Sequence, residues 1–286
     1  MVTTPSYAEP YGWWGPGGRQ PGSLSLAGLV VAGTLSLPAA AFLAAAVRQR
    51  WSLAVIAGPS GAGKSTLLSA LLPWLPPHTR RFYLRGGYER FAFLDDPATD
   101  PHRSAVLCNE ISPHLPIYLW GDGVERLLVA RRRGFQIAAT AHAADALGFV
   151  RLLSGPPHRI AADLVAGFDL VVRLGLGSGD AGDGPRRVVT GIWWLRSGRP
   201  GTVEIEAVGD DRSVVPDLGC QPRLNDQVWR PAPVDRDAVA VAAAEITVLV
   251  DAESTAAAAP ERSPAVVDRQ AEPPAPWRPR RSRPNG

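Results

Sequence analysis

Gly58-Pro59-Ser60-Gly61-Ala62-Gly63-Lys64-Ser65 is the stretch that decides the fold of this chain. It matches the pattern G-x-x-x-x-G-K-[ST], in which glycines let backbone N–H groups turn towards phosphate oxygens and the lysine reaches the β- and γ-phosphates. Lys64 is the only lysine in a sequence with 30 lysines and arginines. The stretch therefore predicts a binding loop for a nucleoside triphosphate.

The sequence on both sides of this loop has the pattern of a strand and a helix. Leu53–Ala57 is a short apolar run before it, and residues 66–72 have helical spacing after it. A helix that opens at the loop adds its N-terminal amides to the phosphate site. We therefore predict that residues 58–66, including Thr66, bind ATP, and that the Ser65 hydroxyl holds Mg²⁺.

Composition narrows the class of protein. The 286 residues are 45% hydrophobic and 20% charged, which is typical of a globular body with ample core. A net charge of +3 is too small to indicate nucleic acid, so we predict no sequence-specific nucleic-acid partner. The two cysteines, Cys108 and Cys220, form no disulfide framework, which indicates a reducing, cytoplasmic compartment.

One uncharged stretch, residues 23–47, has the length of a membrane span. Glycines and Pro38 divide it into two pieces that are each too short to cross a bilayer. The second piece, residues 38–50, has proline in its first turn and arginines at its end, a pattern that favours an ordinary helix. We also find no apolar core of a signal peptide in the first 20 residues.

Apolar runs alternate with helical patterns from residue 24 to residue 208, as a mostly parallel α/β sheet requires. Asp122 and Glu125 predict a capping box at the start of one helix. Two runs near residues 187–208 predict a β-hairpin at the end of the sheet. The predicted organisation is an irregular arm (1–22), a lead-in segment with a helix (23–50), a P-loop domain (51–215) and a largely disordered tail (216–286).

Three polar residues stand where strands of this sheet are predicted to end. Residues 105–110 form an apolar run that ends in Glu110, like a Walker B strand with Asn109 where an aspartate often stands. His142 follows the next strand, and Glu89 follows the strand over residues 80–84 after a glycine turn. Because the carboxyl ends of parallel strands share an edge with the phosphate loop, Glu89, Glu110 and His142 are candidate catalytic residues. Glu110 is also a candidate Mg²⁺ ligand.

These motifs together resemble the type II and type IV secretion and pilus ATPases, particularly their tight-adherence and conjugation branch. The likeness spans roughly residues 24–175, and its motifs occur in family order: phosphate loop, an acidic box ending in Glu89, Walker B ending in Glu110, and a histidine box at His142. The sequence departs from the family in its reduced N-terminal region and in an acidic box with a single carboxylate.

The resemblance implies a RecA-like core, ATP hydrolysis, a hexameric ring and partners in inner-membrane secretion or pilus machinery. It also implies a cytoplasmic protein, or one held peripherally on the cytoplasmic face of the membrane. Glu89 and Glu110 would then serve water and Mg²⁺, and His142 would respond to the γ-phosphate. A ring would place Arg90, Arg103 or the cluster Arg131-Arg132-Arg133 near a neighbour's nucleotide.

Two other functions fit parts of the sequence. The phosphate loop closely resembles that of guanylate kinases, although their arginine-rich monophosphate segment is absent. A nucleotide-binding assembly subunit with little turnover also fits, because the acidic box is weak. The tail adds four arginines between residues 278 and 283, which suit an anionic membrane or an acidic partner. We expect residues 232–286 to be dispensable for the nucleotide site.

Overall fold

In the computed structural model, residues 9–10, 12–14, 24–177, 186–209 and 234–258 are described. Most of the predicted arm, the middle of the glycine-rich loop after residue 177, and the terminal arginines lie outside these ranges. The strands are β1 (Leu53–Ala57), β2 (Arg80–Tyr83), β3 (Ser104–Ile111), β4 (Gln136–His142), β5 (Leu170–Gly177), β6 (Arg186–Ser197) and β7 (Val203–Gly209). The helices are α1 (Leu26–Val31), α2 (Leu37–Arg48), α3 (Lys64–Leu71), α4 (Asp122–Arg132), α5 (Ala146–Ser154), α6 (Ala162–Val165) and α7 (Arg236–Ala258).

All seven strands form one sheet in the order β2-β3-β4-β1-β5-β6-β7. Strands β2, β3, β4, β1 and β5 are parallel, and β6 and β7 add an antiparallel hairpin at the edge. The predicted α/β class, with a mostly parallel RecA-like sheet and a C-terminal β-hairpin, is confirmed. β4 lies between the strand that leads into the phosphate loop and the strand that bears Glu110.

Alternate residues of the central strands supply two separate cores. Leu53, Val55 and Ala57 of β1 face a layer that contains α2 and α3, whereas Ala54 and Ile56 face the layer of α4, α5 and α6. A strand that is buried on both faces needs a continuous apolar run, and β1 has one. The sheet is therefore covered on both sides, and Glu110 and His142 stand near the carboxyl ends of its strands.

The lead-in segment packs into the same core as the phosphate-loop helix. Ser25 and Ser36 cap α1 and α2 by accepting hydrogen bonds from Gly28 N and Ala39 N. Nine residues of α2 are buried, from Ala39 to Val47. The described part of the uncharged stretch, from residue 24 onwards, thus contains a pair of core helices. Among the described helices, none has both the length and the apolar character of a membrane span.

Helix α7 corrects the prediction of a largely disordered tail for residues 236–258. It packs Val239, Ala242 and Ile246 against the lead-in helices, and all three are buried. The Arg48 guanidinium pairs with Glu245 at 2.5 Å, and Ser25 donates a hydrogen bond to Glu253. An alanine-rich, charged composition occurs both in disordered chains and in stable helices. Here the helix is stable because its apolar face packs against the lead-in helices.

Two local predictions about helices were wrong. The N-cap of α4 is Gly121, at φ 63°, and Asp122 is the first helical residue, so there is no capping box. Asp122 and Glu125 instead place negative charge in the first turn, where it favours the helix dipole. The sequence also has the pattern of a helix from about residue 158 to residue 166, but the structure forms only the four-residue helix α6 there.

Candidate functional site

The loop between β1 and α3 has the backbone geometry of a phosphate cradle. Gly61 and Gly63 have φ values of 74° and 95°, a region that favours glycine. A Cβ atom added at Gly58 or Gly61 would meet nothing within 4 Å, so the inner side of the loop is open. Gly63 is the N-cap of α3 and has no side chain to occupy the first-turn N–H groups. Those amides and the helix dipole suit an anion.

Lys64, Glu110 and His142 meet at the mouth of this loop. The Lys64 ammonium lies 3.6 Å from Glu110 Oε2 and 3.1 Å from His142 Nε2. His142 Nε2 is 3.5 Å from Glu110 Oε1. The three residues come from α3, β3 and β4, and the register that pairs Ala57 with His142 brings the strand ends together. The tertiary structure therefore joins three of the residues selected from the sequence.

The hydrogen bonds of His142 assign its tautomer. An ammonium can only donate, so Nε2 accepts from Lys64 and the ring proton is on Nδ1. Nδ1 then donates to the carbonyl of Gly58, 3.2 Å away. His142 is thus a neutral imidazole that bridges the first residue of the loop and the lysine at its end.

Burial strengthens the electrostatic interactions of the charged groups at this site. The side chains of Lys64 and Glu110 are 7% and 12% exposed. Burial lowers the pKa of the Lys64 ammonium, and the neighbouring Glu110 carboxylate opposes that shift. In such a poorly solvated place an ammonium gains more from an anionic ligand than it would in water. The Lys64 ammonium is therefore suited to exchange the Glu110 carboxylate for a phosphate group of a ligand.

Asn109 is used by the N-terminal arm. Its side-chain amide donates to the carbonyl of Trp13, and the Trp13 indole N–H donates to the carbonyl of Leu84 at 2.7 Å. Trp13 is fully buried and packs against Tyr83 in a T-shaped arrangement, with ring centroids 5.1 Å apart. The residue in the position of the usual Walker B aspartate thus anchors the arm across the ends of β2 and β3.

Glu89 is placed differently from the other predicted residues. Both of its carboxylate oxygens accept hydrogen bonds within its own loop, from Arg85 N at 3.1 Å and from Phe91 N at 2.7 Å. Two backbone donors stabilise a carboxylate and hold the turn after β2. In the structure Glu89 therefore organises the loop, and the Lys64, Glu110 and His142 cluster forms without it.

The predicted Mg²⁺ ligands fit a metal shared with a nucleotide. Within the described residues, no three His, Cys, Asp or Glu side chains come together as a metal site of their own. Mg²⁺ in nucleotide enzymes is held by one or two protein oxygens together with phosphate oxygens and waters. Ser65 in the first turn of α3 and the Glu110 carboxylate are of the right chemistry for those protein positions.

Two residues near the loop were not selected from the sequence. Arg187 of β6 donates from Nε to the carbonyl of Gly61 at 2.8 Å. His114, in the turn after β3, has its ring centroid 6.4 Å from that of His142. The Arg-Arg pair at residues 186–187 follows a glycine-rich loop, and no local pattern indicates that β6 returns to the phosphate loop. Only the antiparallel pairing of β5 with β6 brings it there.

The arginines predicted to reach a neighbouring subunit have different roles. Arg131 is 3% exposed and pairs with Asp169 at 2.9 Å, so it is a core residue and the prediction is wrong for it. Arg132 and Arg133 lie 3.7 Å from Asp163 and Asp95. Arg103 directly precedes β3, at the opposite end of the strand from Glu110. Arg90 and Arg103 stay exposed, and both remain predictions for a contact in trans.

Strand order, loop geometry and the helix at the loop define the fold of a P-loop nucleoside triphosphatase. Comparisons with known proteins add little to this class. No family model and no curated protein matches the chain. Among solved structures, it is similar to the VirB11 ATPase from the Brucella suis type IV secretion system, determined in complex with sulphate. The identity is 18% and the TM-score 0.40, and the match covers 59% of this chain and 54% of that chain.

Proposed function

We propose that this chain binds ATP with Mg²⁺ and hydrolyses it. The observation that supports the proposal best is the meeting of Lys64, Glu110 and His142 at the opening of the Gly58–Gly63 loop. A cation, a carboxylate and a neutral imidazole from three separate elements converge where the γ-phosphate of a bound nucleotide would lie. A glycine turn without a ligand has no need of this arrangement.

Each residue has a role that its surroundings favour. The loop amides and the Lys64 ammonium bind the phosphates, and Lys64 exchanges its contacts with Glu110 and His142 for phosphate oxygens. Ser65 and the phosphates would hold Mg²⁺, which would supply charge neutralisation when bound. Glu110 orients a water molecule and accepts its proton as the oxygen attacks the γ-phosphorus. The bond from that phosphorus to the bridging oxygen breaks, and ADP and inorganic phosphate are released.

His142 has a position that suits a sensor of the γ-phosphate. It holds the first residue of the loop through Nδ1–H and the lysine through Nε2. When the Lys64 ammonium moves to a phosphate oxygen, His142 Nε2 loses its hydrogen-bond donor, and its surroundings change. We propose that this change reports the presence of the γ-phosphate to β4, on which His142 stands.

The biological role that we propose is that of a motor subunit in a secretion, conjugation or pilus-assembly system. It is supported by the order of the four sequence motifs, and it includes a homo-oligomer, most simply a hexamer, and partners in inner-membrane machinery. A nucleotide-binding assembly subunit with little turnover is the second candidate. The engagement of Asn109 by Trp13 favours it, because this side chain is occupied beside the catalytic carboxylate.

The test is ATP binding by calorimetry and phosphate release by the purified full chain, with Lys64→Ala as the variant. We expect Lys64→Ala to abolish both, since it removes the only ammonium at the loop. Arg199→Ala, at the tip of the β6–β7 hairpin, is the control for loss of a cation and should behave as wild type. Binding without phosphate release would favour the assembly subunit. Phosphate transfer to added GMP or AMP would favour a nucleotide kinase.

A further inference from the structure

A cavity of about 280 Å³ adjoins the phosphate loop on the side away from Glu110. Its floor includes Gly63 and Thr66, and its far wall is formed by Leu29 and Ala32 of the lead-in segment. Arg186 and Arg187 of β6 complete it. Its volume is near the lower end of the range for small-molecule sites, about 300–1,000 Å³.

The sheet order tells which end of a nucleotide this cavity faces. Glu110 and His142 come from β3 and β4, both on one side of β1. The γ-phosphate therefore belongs on that side of the loop. The cavity lies towards β5 and β6, on the other side of β1, with Leu174 of β5 in its wall. A nucleotide that runs along the loop from the γ-phosphate must place its sugar and base there.

The chemistry of the walls fits that end of the molecule. Leu29, Ala32 and Leu174 supply apolar surface of the kind that covers a heterocyclic base. Thr34, also in the wall, has a hydroxyl that can donate or accept. The backbone carbonyl of Thr34 accepts a hydrogen bond from Val189 N at 2.7 Å, which ties the lead-in wall to β6.

Arg187 is held in place by the loop itself. Its Nε donates to Gly61 O, and its Cδ lies 3.2 Å from where a Cβ at Gly63 would be. Its stem thus lies along the loop, between the phosphate cradle and the cavity. A guanidinium in this position has further N–H donors for an α-phosphate or for ribose hydroxyls.

We propose that this cavity is the nucleoside subsite: it binds the base and ribose of the triphosphate, with Arg187 at the junction of ribose and α-phosphate. The inference rests on the proposed nucleotide function, because it extends the same ligand along the same loop. It assigns a binding role to the lead-in segment and to β6, neither of which contains a phosphate-binding motif.

The experiment compares two ligands that share only the phosphates, Mg-ATP and Mg-tripolyphosphate. Ala32→Trp fills the cavity from an exposed position at the end of α1, and Val31→Trp puts the same bulk on the neighbouring exposed residue outside the cavity. We expect Ala32→Trp to weaken ATP binding by about tenfold or more, because the base loses its apolar burial, and to leave tripolyphosphate binding unchanged. Val31→Trp should bind both ligands as wild type does.

The outcomes separate this inference from the function on which it rests. Failure of the wild type to bind either ligand would contradict the nucleotide function itself. Circular dichroism shows whether Ala32→Trp is folded. If the folded variant binds ATP as tightly as Val31→Trp does, the nucleoside subsite alone is overturned. Equal weakening of ATP binding and tripolyphosphate binding would also overturn it. Thr34→Tyr fills the same cavity and is judged in the same way if Ala32→Trp does not fold.

Photolabelling of the wild type gives an independent result that needs no variant. An 8-azido derivative of ATP reacts next to its base. We expect labelled peptides from residues 24–34 or from β6, and competition by ATP. Labelling confined to the β3 and β4 side of the loop would overturn the proposal.

Discussion

At the scale of single residues, Glu110 is the side chain on which turnover depends most directly in the proposed mechanism. It is nearly buried, and it stands between the Lys64 ammonium and the His142 imidazole. Its backbone is held as well, since Leu119 N donates to its carbonyl at 2.8 Å. Because both the side chain and the backbone of Glu110 are held in place, its carboxylate can orient water without first having to be ordered.

We predict that Glu110→Gln keeps ATP binding and lowers phosphate release by about 10²-fold or more, because an amide cannot accept the proton of the attacking water. Calorimetry and single-turnover assays would measure the two quantities separately. Glu125→Gln, on the exposed side of α4, is the matched control. A parallel loss of binding and turnover in Glu110→Gln would show that the carboxylate is structural.

At the scale of elements, a buried ion pair joins α4 to β5 at the edge of the sheet opposite the phosphate loop. Arg131 and Asp169 are 2.9 Å apart, and Asp169 also accepts from Ser52 N at 2.6 Å. Burial raises the pKa of Asp169 to about 6, and Arg131 opposes the shift. Removal of either side chain leaves the other as an unpaired buried charge, which costs several kcal/mol.

We predict that Arg131→Met lowers the free energy of unfolding by about 3–5 kcal/mol, because Asp169 stays buried without its cationic partner. The double variant Arg131→Met with Asp169→Leu should recover part of this loss, because no charge remains buried. Chemical denaturation of the wild type, both single variants and the double variant would give the coupling energy. Additive losses would mean that the two side chains do not interact.

The helix α7 is the second element whose removal has a definite expected effect. Its buried Val239 and Ile246 are each worth about 1.5–3 kcal/mol of apolar burial against the lead-in helices. Deletion of residues 234–286 should therefore lower the melting temperature and expose α2. This replaces the expectation that residues 232–286 are dispensable.

Deletion of residues 259–286 alone is the control for this truncation, because it keeps the whole of α7. We expect that shorter deletion to melt as the full chain does. Thermal unfolding of the three chains by circular dichroism measures the difference. Equal melting temperatures for the full chain and for the 234–286 deletion would contradict the observed packing of α7.

At the scale of the whole molecule, the arrangement of arginines bears on assembly. Arg187 reaches the phosphate loop from within the same chain, and Arg131 is buried. Arg90 and Arg103 remain exposed for a contact with a neighbouring subunit. An arginine supplied in trans is worth about 10³–10⁵ in rate in other nucleotide hydrolases.

We predict a homo-oligomer whose activity per chain rises with protein concentration, with Arg103→Ala or Arg90→Ala losing that dependence. Light scattering with and without ATP, together with dilution kinetics, measures both properties. A specific activity that stays constant down to a demonstrated monomer would exclude a shared site. Arg199→Ala again serves as the control for a lost surface charge.

Much of the site was predictable from local sequence. The glycines and Lys64 of the loop, and the apolar runs that end near Glu110 and His142, are short patterns whose physical meaning depends on neighbours along the chain. Once the strands are parallel, their carboxyl ends must share an edge, so the meeting of Lys64, Glu110 and His142 follows from topology. The alternation of apolar runs with helical patterns likewise predicted the sheet, and two adjacent apolar runs predicted its final hairpin.

The tertiary structure alone decided which distant segments complete the site. Trp13 meets Asn109, Arg187 meets Gly61, and α7 covers the lead-in helices, across separations of 96, 126 and, for Arg48 with Glu245, 197 residues. Such contacts have no local signature, because an indole, a guanidinium or an apolar helix face looks the same in sequence whatever it packs against. Their partners are selected by shape and burial once the sheet has formed, and this is why the arm, β6 and the C-terminal helix acquired their roles only in three dimensions.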